Sequence, residues 1–310
     1  MTLALLFPGQ GSQQVGMGRD LAAAFPEARR VFEEADDVLG FSLTRTMWEG
    51  TEAELTETRI AQPAILAHSV AAYRVAREAL GPAALLAGHS LGEFSAHVVA
   101  GTVSFDQALE AVHVRGELMF AAGEARPGTM AAVLGLGDDE VVAVCETVES
   151  GLCVPANFNA DGQVVISGER DGVREGMEKA RSAGAKKVLE LSVSGAFHSP
   201  LMQPAEAGLK DKLDSMEFRD PEVPVVSNVT AEAVSEGTEA RRLLVRQLTS
   251  AVRWSASVAT MTSSGVDRFA ELGPGSVLSG LNRRNARGIP SLSVGGPGDM
   301  EAIERWSGEP

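Results

Sequence analysis

The apolar residues fall into short continuous runs that alternate with longer segments of helical periodicity. Leu3–Phe7 and residues 83–87 are apolar runs with the length of strands buried on both faces. Residues 19–39 and 63–80 repeat apolar positions at the three- and four-residue spacing of a helix. Two later runs predict further strands, residues 224–227 and 267–272. Strands that alternate with helices predict an α/β domain with a mainly parallel sheet.

The middle of the chain, residues 127–193, follows a pattern of its own. It predicts, in order, a strand, a helix, two strands, a helix and a strand, over residues 129–134, 138–149, 152–158, 163–167, 169–183 and 185–191. Asp161-Gly162 is the hairpin turn between the two central strands. This order is βαββαβ, the ferredoxin-like unit. We therefore predict a small domain of residues 127–193 inserted into a large domain of residues 1–126 and 194–310.

Gly88-His89-Ser90-Leu91-Gly92 matches G-x-S-x-G and lies between a predicted strand and a predicted helix. That context is the one a nucleophile elbow requires, because the glycines permit the tight turn that exposes Ser90. The N-terminus of the following helix offers free N–H groups to an oxyanion. The fold expected is therefore α/β, a hydrolase-like large domain with a mainly parallel sheet plus the inserted ferredoxin-like (βαββαβ) small domain.

A serine nucleophile needs a base within hydrogen-bond reach. His89 adjoins Ser90, and neighbours on a sharp turn point apart, so a structural role is expected for it. Three other histidines lie inside predicted helices, where partial exposure or a satisfied core contact is the default: His68, His97 and His113. His198 lies in a loop where the chain leaves the small domain, and a domain junction is where clefts form. Position alone makes His198 a candidate base and leaves a structural role equally open.

Arg115 is predicted to project from the apolar face of a helix. Ser104 and Gln107 resemble a capping box, so a helix should cover residues 105–120. At ~100° per residue, four of its side chains share an arc of roughly 60°: Ala108, Val112, Arg115 and Met119. A buried guanidinium costs several kcal/mol unless an anion pairs with it. The partner is either an internal Asp or Glu, or the carboxylate of a substrate held in a bidentate clamp.

Charge and composition exclude several classes of function. The net charge is −15 and the pI is near 4.8, which argues against nucleic acid. No apolar run reaches the roughly 20 residues of a membrane span, and the first residues lack the basic start of a signal peptide. Cys145 and Cys153 cannot form a disulfide framework, and no His/Cys spacing indicates zinc. We expect a reduced, cytoplasmic protein without a metal.

Basic residues nevertheless cluster in two places. All five lysines fall between residues 179 and 212, and three arginines lie near the end: Arg283, Arg284 and Arg287. These clusters are either solvated helix surface or a docking patch for an acidic partner.

The loop after the first strand contains Gly9-Gln10-Gly11. The third glycine of a dinucleotide fingerprint would fall at Gln14, and no Gly-Lys-Ser/Thr follows, so a nucleotide site is not indicated. Such a turn can instead bring a backbone N–H beside Ser90 as an oxyanion donor.

These residues belong to a series of short motifs that covers the chain to about Arg284: Phe7-Pro8-Gly9-Gln10-Gly11-Ser12-Gln13, Gln62-Pro63-Ala64, Gly88-His89-Ser90-Leu91-Gly92-Glu93, Arg115-Gly116, Gly128-Thr129-Met130-Ala131-Ala132, Asn157-Phe158-Asn159, Gly162-Gln163-Val164-Val165-Ile166-Ser167-Gly168, Phe197-His198-Ser199, Val245-Arg246-Gln247-Leu248 and Glu271-Leu272-Gly273-Pro274-Gly275. In this order, the series resembles the malonyl-CoA:acyl-carrier-protein transacylases of type II fatty acid synthesis. More broadly, it is similar to the acyltransferase domains of polyketide synthases.

The resemblance implies a role for each candidate. Ser90 would be the acyl-accepting nucleophile, His198 its base, and Arg115 the group that binds the malonyl carboxylate. Gln10 and Gln247 would line the site.

The resemblance also implies the parts around the nucleophile. The backbone N–H groups of Gln10 and Leu91 would form the oxyanion hole. Leu91 and Phe197 are similar to the pattern of malonyl-selective members. A backbone carbonyl near Gln247 would orient His198, so no triad Asp is required.

The implied reaction is ping-pong transfer of a malonyl group from malonyl-CoA, through a malonyl-Ser90 ester, to the phosphopantetheine thiol of acyl carrier protein. No cofactor is expected, because the CoA thioester is a substrate and the partner protein carries the phosphopantetheine. The expected partners are malonyl-CoA and acyl carrier protein, with no nucleic acid or membrane, and the protein is expected to be a monomer.

The alternative function is a serine thioesterase or editing acyl hydrolase that acts on acyl-carrier-protein thioesters. It shares the elbow, but α/β-hydrolases usually place the histidine near the C-terminus, whereas more than 100 residues follow His198. A hydrolase would also have little use for Arg115. A non-catalytic scaffold that binds carrier protein is a third class, which the joint presence of Ser90, His198, Arg115 and Gln247 argues against.

Overall fold

The computed structural model describes residues 2–308, and within this range two β-sheets are surrounded by helices. The strands are β1 (Leu3–Phe7), β2 (Ala83–Gly88), β3 (Gly128–Leu134), β4 (Cys153–Ala160), β5 (Gln163–Glu169), β6 (Lys187–Glu190), β7 (Val225–Val226), β8 (Ala233–Val234), β9 (Arg268–Leu272) and β10 (Ser291–Val294). The α-helices are α1 (Arg19–Ala24), α2 (Pro26–Leu39), α3 (Leu43–Glu49), α4 (Glu52–Thr56), α5 (Thr58–Leu80), α6 (Leu91–Val99), α7 (Phe105–Ala125), α8 (Asp138–Glu146), α9 (Arg170–Ser182), α10 (Gln203–Asp214), α11 (Gly237–Arg246), α12 (Trp254–Ser263), α13 (Val277–Asn285) and α14 (Met300–Gly308).

The larger sheet has six strands in the order β10-β9-β1-β2-β7-β8. Neighbouring strands are parallel except β7 and β8, which form a short antiparallel pair at one edge. All of β1 is buried, because hydrophobic clusters cover both faces of the sheet. The predicted mainly parallel sheet is confirmed. Its strands β1 and β2 end side by side, with Phe7 paired to Gly88, so the loops that follow them start as neighbours.

The smaller sheet is antiparallel, in the order β4-β5-β3-β6. This is the strand order of a ferredoxin-like unit, as predicted. Because side chains alternate across a sheet, Val133 and Ile166 pack with α8 and α9 in a core of their own. Met130 and Val165, on the opposite face, join the main core of the molecule. The small unit is therefore packed onto the rest of the chain, and its division from the rest at residues 126/127 and 193/194 stays a prediction.

The segment predicted as one helix over residues 19–39 is two helices. Phe25 has an extended backbone between α1 and α2, and Pro26 is the first residue of α2. Proline is favoured at that position, since its missing N–H has no partner there in any helix. The prediction of a single helix was wrong for this reason.

The helix predicted from residue 63 begins five residues earlier, so Pro63 lies inside α5. Proline has no N–H to donate to the carbonyl four residues before it, which belongs to Arg59. Nδ1 of His113, on α7, lies 3.4 Å from that oxygen. A neighbouring helix thus supplies the partner that lets α5 continue through the proline.

The start of α7 also differs from the prediction. Ser104 is the N-cap, but its side chain makes no capping hydrogen bond, so the capping box with Gln107 is absent. The Ser104 hydroxyl bonds to the carboxylate of Asp106 instead, which helps to lower the pKa of that carboxyl. The helix still forms and runs on to Ala125, with Arg115 among its buried residues.

Candidate active site

Ser90 sits on a sharp turn between β2 and α6. Its backbone has φ 52° and ψ −108°, outside the regions that residues with side chains ordinarily occupy. A Cβ on Gly88 would lie 1.9 Å from the carbonyl carbon of Gly92, and one on Gly92 would lie 2.0 Å from the Phe7 oxygen. The two glycines are therefore what allows strand, turn and helix to pack this closely. This is the geometry of a nucleophile elbow.

Asn228 fixes the elbow from the loop after β7. Its side-chain oxygen accepts a hydrogen bond from the Ser90 N–H at 2.6 Å, and its amide nitrogen donates to the Gly88 carbonyl at 2.7 Å. Asn228 is fully buried. These two bonds replace the regular hydrogen bonds that the strained turn cannot make.

His198 lies within hydrogen-bond reach of Ser90. Its Nε2 is 2.8 Å from Ser90 Oγ, and its Nδ1 is 2.9 Å from the backbone oxygen of Gln247. A carbonyl can only accept, so Nδ1 carries the proton and Nε2 is free to accept from the hydroxyl. The carbonyl thus orients the ring as the third group of a triad would.

The pKa of His198 is lowered to about 3. Burial is the main cause, and the charge of Arg115 lowers it further, while the hydrogen bond to Gln247 opposes the shift. The imidazole is therefore neutral at pH 7, the state in which it can take a proton from Ser90.

Arg115 is buried, with 1% of its surface exposed. Its Nη1 donates to Gln62 Oε1 at 2.6 Å, and its Nη2 donates to Gln247 Oε1 at 2.9 Å and to Ser90 Oγ at 3.2 Å. Among the side chains that the structure describes, no carboxylate lies within 4.0 Å of it and its Nε has no partner. The internal ion pair considered from the sequence is therefore absent in the described chain.

Glu93 is the carboxylate whose charge acts on Arg115. It lies in the first turn of α6 and is 1% exposed. Gln247 Nε2 donates to its Oε2 at 2.6 Å, and the Asn228 N–H donates to the same atom at 3.2 Å. Burial raises the pKa of Glu93 to about 7, against these hydrogen bonds and the pull of Arg115.

Gln247 lies behind the serine rather than on the cavity wall. It is fully buried, and its Nε2 also donates to the Ser90 carbonyl at 3.0 Å. The Gln247 side chain bonds to Arg115, Glu93 and the Ser90 carbonyl, and the Gln247 carbonyl accepts from His198. The resemblance placed Gln247 in the site, and the structure puts it where it braces the other groups.

A cavity of about 270 Å³ opens over Ser90. Its wall contains the predicted residues Gln10, Leu91, Arg115, Phe197 and His198, together with residues of the small sheet and the segment after it: Met130, Asn157, Leu191, Ser192 and Val193. Within residues 2–308, the backbone N–H groups of Gln10 and Leu91 have no acceptor. Both residues line the cavity with Ser90, and the oxyanion hole that their N–H groups would form stays a prediction.

The other histidines have structural partners, as predicted for them. His89 Nε2 contacts Asn159 Oδ1 at 2.8 Å, and His68 Nε2 contacts the Gly295 oxygen at 2.7 Å. His97 lies 3.2 Å from the Thr102 hydroxyl, and His113 contacts the Arg59 carbonyl described above. Of the five histidines, His198 is the one placed on Ser90.

Three of the clustered lysines are already paired with carboxylates: Lys179 with Glu175, Lys210 with Asp214 and Lys212 with Glu110. For these three, solvated helix surface is the interpretation that the geometry favours.

The structure adds three residues to the predicted site: Gln62, Glu93 and Asn228. The first two lie inside sequence motifs described above, so their presence was visible but their contacts were not. Asn228 carried one usable signal, its position just after a sheet strand, where functional side chains of parallel sheets collect.

No cluster of three or more potential metal-binding side chains occurs among residues 2–308. Across the same residues, every helix is too short or too polar to span a bilayer.

The model of the family described as the acyl transferase domain matches residues 4–296. The chain is 44% identical to a malonyl CoA-acyl carrier protein transacylase of Bacillus subtilis over 96% of this chain and 95% of that protein. It is 42% identical to the protein of the same name from Escherichia coli K12 over 96% of this chain and 97% of that one.

Solved structures agree. An acyl-carrier-protein-S-malonyltransferase from Bartonella henselae is 43% identical and superposes with a TM-score of 0.95 over the whole of both chains. A malonyl-transacylase solved in complex with its type II polyketide acyl-carrier protein is 42% identical, with a TM-score of 0.94 over 98% of this chain and 99% of that one. With this match across sequence and fold, the chain belongs to the acyl transferase family.

Proposed function

We propose that the protein is a malonyl-CoA:acyl-carrier-protein S-malonyltransferase. The observation that carries the proposal is Arg115, a buried guanidinium that lies 3.2 Å from Ser90 Oγ without a carboxylate at ion-pair distance in the described chain. A buried positive charge beside a nucleophile favours an acyl group that brings its own carboxylate. The names of the relatives at 42–44% identity support the same activity.

The first half-reaction acylates the serine. His198 Nε2 takes the Ser90 proton while Oγ bonds to the thioester carbon of malonyl-CoA. The oxyanion accepts hydrogen bonds from the backbone N–H groups of Gln10 and Leu91. The C–S bond then breaks, the CoA sulfur takes the proton from His198, and malonyl-Ser90 remains with its carboxylate on Arg115.

The second half-reaction runs the same steps in reverse with another thiol. The phosphopantetheine thiol of acyl carrier protein gives its proton to His198 and attacks the ester carbon, and the proton returns to Ser90 Oγ as the ester breaks. No cofactor enters either step. Phe197, Leu91 and Met130 give the cavity an apolar wall beside the ester, which keeps water from competing with the incoming thiol.

A thioesterase is the less favoured function. It would need water where the apolar wall excludes it, and Arg115 would serve no purpose with most acyl groups. A complex of a 42% identical transacylase with its carrier protein supports transfer instead. The cytoplasm as the site of this reaction is part of the proposal, supported by the two cysteines, which are free thiols. The monomeric state stays a prediction.

Intact-mass analysis tests the proposal. The protein mixed with malonyl-CoA should gain one malonyl group, and acetyl-CoA should give a far weaker adduct. Ser90→Ala should give none, and adding the carrier protein in its thiol form should move the adduct to that partner. Release of CoA with neither adduct nor loaded carrier protein would instead identify a hydrolase.

A further inference from the structure

A chain of side-chain hydrogen bonds leads from Arg115 to the loop after β1. Arg115 Nη1 donates to Gln62 Oε1 at 2.6 Å, and Gln62 Nε2 donates to Thr58 Oγ1 at 2.8 Å. Thr58 Oγ1 then donates to Gln10 Oε1 at 3.0 Å. Gln62 and Thr58 are fully buried. The reaction steps above make no use of Thr58.

Arg115 fixes the orientation of the Gln62 amide. A guanidinium can only donate, so Gln62 must present its oxygen to Arg115 and its amide nitrogen to Thr58. The Thr58 hydroxyl accepts from that nitrogen and donates its own proton to the oxygen of Gln10. This bond ties the side chain of Gln10 to a buried residue of α5.

Gln10 needs such an anchor because glycines flank it. Gly11 has φ +99°, a conformation that few other residues adopt. Gly9 packs against the elbow, since a Cβ there would lie 2.3 Å from the His89 oxygen. The Gln10 side chain is partly exposed and lines the cavity, while its backbone N–H has no acceptor in the described chain. Other hydrogen bonds hold the turn on either side: Ser12 donates from its N–H and its hydroxyl to the Gly9 carbonyl, and the Gly11 N–H donates to Gln13 Oε1. Gln10 itself is held through its side chain by Thr58.

We propose that Thr58 is a positioning residue for acyl transfer: its hydroxyl anchors the Gln10 side chain and so holds the Gln10 N–H where the oxyanion forms. The inference rests on the function proposed above. The oxyanion exists only as the serine ester forms or breaks, so the loss of this anchor lowers the rate of acylation and leaves substrate binding almost unchanged.

The decisive comparison is Thr58→Val with Thr58→Ser. Valine keeps the shape of threonine and removes the hydroxyl, whereas serine keeps the hydroxyl. Loss of a whole oxyanion donor costs ~10²–10³ in rate, and a displaced one costs less, so Thr58→Val should acylate roughly 10- to 100-fold more slowly in single turnover with saturating malonyl-CoA. Its KM should change less than about threefold, and Thr58→Ser should stay within about threefold of the wild-type rate.

Gln10→Ala shows whether Thr58 acts through Gln10. It removes the anchored side chain and keeps the backbone N–H, so it should be as slow as Thr58→Val, and the double variant should be no slower than either. Because Gln10 is partly exposed, this variant tests the proposal even if Thr58→Val does not fold.

Three results overturn the inference: Thr58→Val or Gln10→Ala at the wild-type rate, equal losses in Thr58→Val and Thr58→Ser, or effects that add in the double variant. Each of them leaves a wild-type enzyme that forms the malonyl adduct. A wild-type protein without an adduct would instead contradict the proposed function.

Discussion

Arg115 is a buried charge whose hydrogen-bond acceptors are all neutral. Two glutamines and Ser90 accept its hydrogen bonds, and Glu93 acts on it only from beyond ion-pair distance. Burial lowers the pKa of Arg115 to about 10, so it is still charged at pH 7. Neutral acceptors bind its two terminal nitrogens without neutralising the charge. The site can therefore exist empty and still favour an incoming carboxylate.

Arg115→Met should abolish the preference for malonyl-CoA over acetyl-CoA. A hydrogen bond to a charged group contributes about 1.5–3 kcal/mol. That corresponds to a loss of roughly 10- to 100-fold in kcat/KM for malonyl-CoA for each such bond. The acetyl group has no carboxylate for Arg115 to bind, so kcat/KM for acetyl-CoA should change little. Acylation rates with both thioesters measure the ratio.

Arg115→Lys is the matched control for that variant. It keeps the charge but not the planar fork, so part of the preference should remain. An unchanged malonyl-to-acetyl ratio in Arg115→Met would contradict the role of Arg115 as the carboxylate clamp.

His198 should remain neutral well below the pH at which an ordinary histidine titrates. Its folded pKa is lowered to about 3, against ~6.5 for an unfolded histidine. The unfolded chain therefore binds the proton more readily, so this group destabilises the fold increasingly as the pH falls below ~6.5 and has no such effect above it. NMR of histidine-labelled protein, with His198→Asn to assign the resonance, should show an imidazole that is uncharged at pH 5.

Because Arg115 is one cause of that shift, the pKa of His198 should rise in Arg115→Met. A His198 resonance that titrates near the ordinary value in the wild-type protein would show that the site is more open to water than the structure indicates.

At the scale of elements, the elbow depends on three backbones in contact. The end of β1, the turn at Ser90 and the first turn of α6 approach so closely that Gly88 and Gly92 have no room for a side chain. Asn228 adds two hydrogen bonds from the loop after β7. The strained serine is thus held by its neighbours in the sheet.

Gly92→Ala should destabilise the protein by at least ~1–3 kcal/mol, because its methyl group would overlap the Phe7 carbonyl and force the backbone apart. Urea unfolding gives the free energy of unfolding. Gly280→Ala is the control: it lies in α13 with open space around a Cβ and should stabilise by up to ~1 kcal/mol through helix propensity. Equal effects of the two changes would contradict the close packing of the elbow.

At the scale of the whole molecule, the two sheets form one packed structure. The inner face of the small sheet joins the main core, and β4 exchanges backbone hydrogen bonds with Val252 through Ala156 and Phe158. The segment with Val252 follows Gln247, whose carbonyl orients His198. The small unit therefore both walls the cavity and supports the segment that holds the base.

We expect the two units to unfold in a single transition. All three tryptophans (Trp48, Trp254 and Trp306) lie outside residues 127–193, so their fluorescence follows the unfolding of the large part. Val165→Ala, in the small sheet, should still lower the free energy of unfolding followed by this fluorescence, by about 1–3 kcal/mol. Leu189→Ala, at a position 43% exposed in β6, should change it by less than ~0.5 kcal/mol. If the free energy of unfolding followed by tryptophan fluorescence is unchanged in Val165→Ala, the two units unfold separately.

Local patterns in the sequence were sufficient for most of the elements and for the nucleophile. Apolar runs and helical spacing predicted four strands of the large sheet and the βαββαβ order, and glycine spacing predicted the turn at Ser90, because these depend on neighbours in the chain. The edge strands β8 and β10 were not predicted. Two of the errors also had local causes, and the error at Pro63 depended on a distant residue. A proline began a new helix at Pro26, another was tolerated at Pro63 because His113 lies beside the Arg59 carbonyl, and Ser104 bonded to Asp106 instead of capping α7.

What the sequence alone determined is that Arg115 faces a buried side of its helix and that Ser90 lies on an elbow. The sequence left two questions open: whether Arg115 pairs with an internal carboxylate, and which histidine lies beside Ser90. Both depended on contacts between residues more than 50 positions apart. Gln62, Gln247 and His198 come to Ser90 and Arg115 only through the packing of α5, α7 and the loops around the small unit. Hydrogen bonds between distant segments have no periodicity in the chain, so only the tertiary structure decided the partners of the charge and of the nucleophile.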